Sequence, residues 1–464
     1  MNSRLVGLCL CTAFCLHGHL AAAKRAADES FNAPGIARVV TNTNDGGPDS
    51  LRQALLEAVD GDTIEFQIPT SDPGYAAGVW TITLTSGELL VSKNIAINGI
   101  GADALVVRRS SGASDFRIFH VGPNITVVIQ GLTVSNGRAS GPGNLGGGLY
   151  NERSSVTLAN CHFTGNQASG GGGVVNSGRA QGAATMHISG CSLTANISNY
   201  GGGLLNDGSG SSVATVTVVN STFSGNTSGV FGGGPGFYND GSQTGMASAQ
   251  ISNSTFTENS GLGTIVNSGS GGGSAVLEIG NTILKAGSTN SGNFGGINGT
   301  VISRGYNLAS DGASGLLSGA GDMINLDPIL GPLKNNGGPT PTHSTLSNSP
   351  ALDRGRRDAI PALSTDLDQR GRPRPVTYDT AIVPAADRSD IGAVELAPGV
   401  QPISAVSRKV HGPAGEFDVP LTLTGPVAIE GRSGGGTAPP PSGMPPRCNA
   451  RFEPRCHAPR RSWA

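Results

Sequence analysis

Three acidic residues in the middle of the chain have the type and spacing that could bind a metal ion. Glu152, Asp207 and Asp240 each follow an asparagine that ends a recurring motif. Carboxylate oxygens gathered at one edge are the ligands that Ca²⁺ prefers. The pattern predicts a weak Ca²⁺ site at Asp207 and Asp240. Asn-Asp-Gly is also a common turn sequence, and turn formation is the favoured interpretation.

Residues able to cleave a glycan are sparse in the same region. A glycosidase needs two or three carboxylates close together, and a lyase needs a basic residue near the sugar. Between residues 130 and 320 the acidic residues are few, and no two of them are adjacent. We therefore assign no catalytic residue and no cofactor other than that Ca²⁺. The protein is expected not to be an enzyme, with a polysaccharide lyase as the alternative.

Two cysteines occupy equivalent places in successive repeats. Cys161 and Cys191 each precede the apolar part of the same short motif, so they are expected to lie one above the other. Small buried apolar residues are the favoured interpretation. A disulfide between neighbouring repeats is the alternative, which an exported protein would permit.

Further titratable residues lie in the C-terminal third of the chain. They could form a site, but a salt-bridged cap explains a local cluster of opposite charges better. The residues concerned are His343 with Asp327 and Asp353, and the cluster Asp366, Asp368, Arg370 and Arg372.

Two interleaved motifs repeat with a period of about 30 residues, the mark of a repeat architecture. The first motif, typified by GGGLYN, ends at Asn151, Asn176, Asn206, Asn239 and Asn267. The second motif, typified by FTGN, ends at Asn136, Asn166, Asn196, Asn226 and Asn259. Each repeat has short β-type runs separated by Gly, Ser and Asn, and is too short to enclose a core alone. The sequence predicts an all-β fold, a right-handed parallel β-helix whose aligned asparagines form structural ladders.

One helix is predicted ahead of the coils. Ser50 and Gln53 fit a capping box, and apolar residues recur at helical spacing from Leu51 to Ala58. A helix in this position would cover the open apolar end of the first coil. The expected order is a signal peptide (1–23), a flexible lead (24–36), an N-terminal cap with the helix (37–66) and the β-helix coils (67–324). A C-terminal region (325–397), an incomplete β segment (398–435) and a disordered Pro/Arg-rich tail (436–464) follow.

Composition and the N-terminal segment indicate where the protein acts. The chain has 464 residues, 73 of them Gly, and a formal net charge of −2. This charge gives no reason to expect nucleic acid as a partner. The apolar stretch before residue 24 is typical of a signal peptide, and no later segment is apolar enough to span a membrane. A secreted or cell-surface location is expected.

Several segments resemble known bacterial surface proteins. VTNTNDGGPDSLRQALLEAVDGDTIEF (40–66) is similar to the start of surface β-helix proteins. NLDPILGPLKNNGGPTPTHSTLSNSPALDRG (325–355), TDLDQRGRPRP (365–375) and DIGAVE (390–395) resemble the choice-of-anchor Q domain. The GGGL and FxxN repeats are similar to those of chlamydial polymorphic membrane proteins, which are autotransporter adhesins. The tail departs from the choice-of-anchor pattern, and we interpret it as truncated or read out of frame.

The resemblance implies a pectin-lyase-like β-helix at the cell surface or outside the cell, without a known reaction. We expect a non-catalytic adhesin or glycan-binding scaffold with a polysaccharide or a host or cell-surface ligand as partner. A polysaccharide lyase or hydrolase of the same fold is the alternative.

Overall fold

The coils stack into a parallel β-solenoid of about eight turns, so the predicted parallel β-helix is confirmed. The computed structural model describes residues 35–141, 143–229, 233–287, 292–296, 298–378, 386–397, 407–412 and 415–420. The coils between the two ends each contribute one strand to each of three long sheets, and four coils add a short strand to a fourth sheet. Because neighbouring strands in a sheet are parallel, each coil is itself the crossover that joins them.

Sheets 1 and 2 have ten strands each. Sheet 1 contains Ala37–Val40, Thr63–Phe66, Ile95–Asn98, Thr126–Gln130, Ser155–Ala159, Ala183–Ser189, Val213–Val219, Met246–Ser252, Ser274–Gly280 and Thr300–Gly305. Sheet 2 contains Tyr75–Ala76, Val79–Leu84, Leu105–Arg109, Thr133–Ser135, His162–Thr164, Ser192–Thr194, Thr222–Ser224, Thr255–Thr257, Ile283–Leu284 and Leu308–Ala309. The pair Tyr75–Ala76 and Val79–Leu84 is antiparallel.

Sheet 3 faces a different side of the coil, and sheet 4 is confined to the middle of the solenoid. Sheet 3 contains Leu89–Val91, Phe119–Val121, Leu149–Glu152, Val174–Ser177, Leu204–Asp207, Phe237–Asp240, Ile265–Ser268 and Phe294–Gly295. Sheet 4 contains Arg138–Ala139, Gln167–Ala168, Ile197–Ser198 and Thr227–Ser228. The helical elements are an α-helix, Leu51–Glu57, and two 3₁₀ turns, Ala313–Gly315 and Pro361–Leu363.

Alternation along each strand sends one set of side chains into a continuous core. On sheet 2, Phe163, Leu193, Phe223 and Phe256 lie in register on successive coils and are fully buried. The rings of Phe223 and Phe256 stack with centroids 4.4 Å apart. These residues form the internal stack that the repeats predict, and apolar burial of this kind is the main favourable term for folding.

Glycines before the sheet 3 strands permit the close approach of coils. A Cβ atom on Gly173 would lie 2.6 Å from the carbonyl oxygen of Gly203, and one on Gly203 would lie 2.7 Å from that of Gly236. Any larger residue would therefore push adjacent coils apart. The glycine-rich motif is a packing requirement of the stack.

The N-terminal helix packs on the first coils of the solenoid. Ser50 caps it by accepting a hydrogen bond from the Gln53 backbone N–H, while the Gln53 side chain bonds to Glu57. Leu51 and Leu55 are buried in the main apolar core. The strands Ala37–Val40 and Thr63–Phe66 are the first two of sheet 1, so the segment predicted as a cap also contributes strands to the solenoid.

Two non-repeating segments complete the structure after the last coil. Ala313 and Leu317 are buried in the main core, so residues 310–323 cover the C-terminal end of the solenoid. The sequence predicts this segment as part of the β-helix coils. The described part of residues 325–397 then runs back along the outer side of sheet 2, in contact with Ser192, Thr222, Ser224 and Thr255. We call this segment, as far as it is described, the strap. It lies along the flank of the coils, so the prediction that its charges cap the end is wrong.

The strap is joined to the coils by buried polar contacts. The Gln369 side-chain amide donates to the Cys191 carbonyl oxygen at 3.1 Å and to Ser192 Oγ at 2.9 Å. Thr222 Oγ1 donates to the Gln369 side-chain oxygen at 2.6 Å. Ser192 and Thr222 on sheet 2 thus have hydrogen-bond partners in the strap.

Beyond the strap, an antiparallel hairpin of Ser407–Gly412 and Gly415–Pro420 falls within the predicted β segment. The predicted signal peptide, most of the flexible lead and the Pro/Arg-rich tail lie outside the described residues. No helix in the described ranges has the length and apolar character needed to cross a membrane.

Candidate functional site on the outer face of sheet 3

The asparagines of the first motif form a continuous ladder inside the solenoid. Each side-chain amide donates to the side-chain oxygen of the next coil at 2.7–2.8 Å. The ladder runs through Asn151, Asn176, Asn206, Asn239 and Asn267, all fully buried. This row is structural, as predicted, and is turned away from solvent.

The second ladder contains four asparagines, one fewer than predicted. Asn166, Asn196, Asn226 and Asn259 bond in sequence at 2.9–3.0 Å. The prediction that Asn136 begins this row is wrong. Asn166 Oδ1 accepts from the Gly137 backbone N–H, and Asn136 is exposed with a left-handed φ of 57°.

Cys161 and Cys191 lie one above the other on adjacent coils, as predicted. Both are buried free thiols, and the Cys161 backbone N–H donates to Cys191 Sγ at 3.4 Å. Burial raises the pKa of the Cys191 thiol well above its ordinary value. The structure therefore has two small buried residues here and no disulfide between them.

The opposite side of the sheet 3 strands carries aromatic rings and acidic groups in parallel rows. Tyr150 and Tyr238 are on the strands, Tyr200 precedes a strand, and all three are half-buried. They cover an apolar patch of Leu145, Val175 and Leu205. Tyr200 and Tyr238 meet edge to face with centroids 6.0 Å apart. We call this surface, with its neighbouring acidic row, the tyrosine face.

The acidic row contains the predicted Ca²⁺ residues. Glu152, Ser177, Asp207, Asp240 and Ser268 are register partners on successive coils. Asp207 and Asp240 are therefore neighbours along the solenoid axis, as the repeat predicted. Since strands alternate sides, the acidic row and the tyrosine row both point outward while the asparagines point inward.

The two aspartates have different surroundings. Asp207 is fully buried, forms an ion pair with Arg179 and accepts from Ser209 Oγ at 2.6 Å. Asp240 is half-exposed and accepts from the Ser242 backbone N–H at 3.0 Å. Burial, with a contribution from the Asp207 charge, raises the pKa of Asp240.

This arrangement provides few ligands for a metal ion. Arg179 already balances the Asp207 carboxylate, and Ca²⁺ takes six to eight oxygen ligands. Within the described part of the chain, no group of three or more His, Cys, Asp or Glu side chains is placed to hold a metal ion. Ca²⁺ binding at Asp207 and Asp240 stays a prediction.

A second charged group lies on the same face and was missed from the sequence. His120 contacts Glu88 through Nδ1 and Glu152 through Nε2, both at 3.1 Å. Arg117 pairs with Glu88 at 3.3 Å and lies 4.9 Å from the Tyr150 ring centroid, while Arg153 pairs with Glu152 at 2.6 Å. The hydrogen bond to Glu88 raises the pKa of His120. This network ties three coils together.

The sequence signal for the His120 group is the equal spacing of its three members. Glu88, His120 and Glu152 are each 32 positions from the next, about one coil. The early coils lack the explicit motifs, so this coincidence could be recognised only once the register was known.

The charged residues of the strap do not gather into one site. Asp368 pairs with Arg370 at 2.6 Å, both buried, while Asp366 is exposed and pairs with Arg357. Asp327 pairs with Lys285, and Asp353 accepts from the Tyr378 backbone N–H. These contacts hold the strap in place, as expected for structural salt bridges.

His343 is buried between the strap and sheet 2. Its Nδ1 donates to the Gly331 carbonyl oxygen at 2.7 Å, so Nε2 accepts from Ser224 Oγ at 2.8 Å. Burial lowers the pKa of His343, which favours the neutral ring. A cavity of about 230 Å³ lies beside it, lined by Glu258, Lys285 and Leu330 among others. Ser224 is itself buried, which argues against a nucleophilic role.

A third row of polar corners was also missed. Asn220, Asn253 and Asn281 follow the sheet 1 strands and have positive φ angles of 47–51°. Asn220 donates to the Leu367 carbonyl oxygen at 2.7 Å, and Asn281 to that of Asp390 at 3.1 Å. These asparagines attach the strap to the coils.

Comparison with known proteins leaves the family open. No protein-family model matches the chain. No curated protein has significant sequence similarity to it.

Proposed function

We propose that this chain is a secreted or cell-surface β-helix protein that binds glycans on its tyrosine face without cleaving them. It would act as an adhesin or as a scaffold that holds a polysaccharide. The observation that carries the proposal is the group of half-buried tyrosines, Tyr150, Tyr200 and Tyr238, beside outward-facing polar groups.

Half-buried tyrosines suit the recognition of sugars. Each ring offers an apolar face to the C–H groups of a sugar ring, and its hydroxyl offers a hydrogen bond. The rings are supported from below by buried Val175 and Leu205, so little side-chain freedom is lost when a ligand binds. Tyr150 and Tyr238 occupy the same strand position three coils apart, with Val175 and Leu205 on the coils between them, a spacing that suits an extended polymer.

The other long faces are less suitable. The strap covers much of sheet 2 and bonds to Ser192, Thr222 and Ser224. The outer side of sheet 1 presents mainly small Thr and Ser side chains with isolated larger groups such as His187 and Gln250. Sheet 3 thus offers the largest group of aromatic rings.

The carboxylates on this face favour binding over cleavage, because all except Asp240 are paired with basic groups and Asp240 alone does not make the carboxylate pair of a glycosidase. Both oxygens of Glu88 and of Glu152 contact a basic partner, and Asp207 is buried against Arg179. A general acid or a nucleophile must reach the sugar with an available oxygen. The lyase or hydrolase alternative therefore has little support at these residues.

A glycan array with the full chain tests the proposal. We expect binding to one class of polysaccharide, and binding at least about tenfold weaker for the double variant Tyr200→Ala/Tyr238→Ala. Tyr75→Ala is the matched control, because Tyr75 packs on Trp80 in sheet 2, away from the tyrosine face. Thermal unfolding checks that the variants are folded.

Either of two results would overturn the proposal. The first is that the folded full chain binds nothing on the array, or that the double variant binds as well as the wild type. The second is the release of new reducing ends or unsaturated products from the bound polysaccharide, which would favour the enzymatic alternative.

A further inference from the structure

We infer that the glycan bound on the tyrosine face is an amino-sugar polymer, with an ammonium group paired to Asp240 and a sugar ring packed on Tyr238. The inference rests on the proposed glycan binding and names the substrate class of that site.

The position of Asp240 puts a carboxylate beside the aromatic pair. Tyr238 and Asp240 are two residues apart on one strand, so both side chains leave the same side of sheet 3. Tyr200 meets Tyr238 at an interplanar angle of 63°, which gives the surface a step against which a sugar ring can rest. A substituent on that sugar would lie next to the Asp240 carboxylate.

Asp240 is the least compensated member of the acidic row. Glu152 contacts His120 and Arg153, and Asp207 contacts Arg179. The hydrogen-bond partner described for Asp240 is the neutral Ser242. Burial is the first cause of the raised pKa of Asp240; the Asp207 charge adds to it, the Arg179 charge opposes it, and a bound ammonium would lower the pKa further.

The same charges disfavour acidic sugars. The carboxylate of a uronic acid resting on Tyr238 would face the Asp240 carboxylate, and like charges across an interface are costly. An ammonium group would be attracted both to Asp240 and to the electron-rich faces of the tyrosine rings. A neutral glycan would retain the packing on the rings but lack the ionic contact.

Calorimetric titration of the full chain with three oligosaccharides tests the inference. The probes are a glucosamine oligomer, its N-acetylated counterpart and an oligogalacturonate, all of one length. We expect the glucosamine oligomer to bind about three- to tenfold tighter than the N-acetylated form, and the galacturonate to bind weakest. The preference for glucosamine should shrink at high salt, because the contact is ionic.

Variants separate charge from packing. Asp240→Asn should remove the preference for glucosamine and leave binding of the N-acetylated form unchanged, whereas Tyr238→Ala should weaken binding of both. Asp103→Asn, on an exposed loop between sheets 1 and 2, is the matched control and should behave as wild type.

The outcomes distinguish a failure of the amino-sugar inference from a failure of glycan binding itself. Equal affinity for charged and N-acetylated oligomers, tighter binding of galacturonate, or an unchanged preference in Asp240→Asn would overturn the amino-sugar inference alone. If no oligomer binds and the array is also negative, glycan binding itself fails and the inference fails with it.

Discussion

Asn196 donates from its side-chain amide to Asn226 Oδ1 on the next coil at 3.0 Å, and its backbone N–H donates to the same oxygen at 3.0 Å. Both side chains are fully buried. This paired contact recurs along the ladder and fixes each coil in register with the next. A shift of one residue would turn the asparagines out of the interior, so the ladder is a device for specificity as well as for stability.

Asn196→Ala should therefore destabilise the solenoid strongly. It would leave the Asn166 amide and the Phe163 carbonyl oxygen without their partner inside the core. We expect a loss of about 2–4 kcal/mol in the free energy of unfolding, measured by denaturant titration. Asn136→Gly is the control, since Asn136 is exposed and glycine accepts its positive φ. A loss below about 0.5 kcal/mol for Asn196→Ala would contradict a structural role for the ladder.

The contacts of His120 should make stability depend on pH. Since the folded pKa of His120 is raised above the unfolded value, its contribution is fully present below about pH 6.5 and is lost as pH rises through the folded pKa. His120→Gln should thus lower the thermal midpoint more at about pH 6 than at about pH 8, by the equivalent of about 1 kcal/mol.

A histidine on sheet 2 gives a contrast for that comparison. His162 contacts the Thr194 hydroxyl through Nε2 at 2.8 Å, and burial lowers the pKa of His162 to about 4. The penalty for keeping it neutral grows as pH falls below about 6.5, so His162→Gln should lower the midpoint less at about pH 6 than at about pH 8. If His120→Gln lowered the midpoint equally at both pH values, the charged contacts with Glu88 and Glu152 would not contribute to stability.

The two stacked cysteines should be unreactive in the folded protein. Both thiols are buried, and the pKa of Cys191 is raised, so little thiolate is available. Alkylation followed by peptide mapping should leave Cys161 and Cys191 unmodified under native conditions and modify both after denaturation. Recovery of a disulfide-linked peptide containing both residues would show that the alternative pairing forms.

Gln369 should control the attachment of the strap. Gln369→Ala removes its bonds to Cys191, Ser192 and Thr222. Limited proteolysis should then cut within residues 325–397 faster than in the wild type while the coils stay resistant. Asp366→Asn, whose side chain is 85% exposed, should behave as wild type. Unchanged cleavage in Gln369→Ala would contradict the role of this contact.

The repeat period predicts most of the coils, and the misplacement of Asn136 in the second ladder has a clear cause. Asn136 and Asn166 end similar motifs, but Asn166 pairs with Gly137, 29 residues away, because that coil is one residue shorter between register partners. The side chain of Asn136 therefore faces outward. A period of about 30 predicts the middle coils well and cannot locate a single-residue irregularity.

The strap and the His120 group could not be derived from the repeats. Gln369 contacts Cys191 across 178 residues of sequence, and no periodic pattern links the two. His120 lies in coils without the asparagine motifs, so its alignment with Glu88 and Glu152 depends on loop lengths. Asp207 and Asp240 are neighbours as predicted, but the Arg179 that neutralises Asp207 stands at a turn position where the next two coils have Ser209 and Ser242, so the repeat gives no signal for it.

Hydroxyl-radical footprinting of the full chain, with and without the glycan selected on the array, tests the central claim most directly. If the tyrosine face binds the glycan, oxidation of Tyr200 and Tyr238 should fall when it is added, while Tyr75 is oxidised at an unchanged rate. Binding that leaves the oxidation of Tyr200 and Tyr238 unchanged would contradict the account.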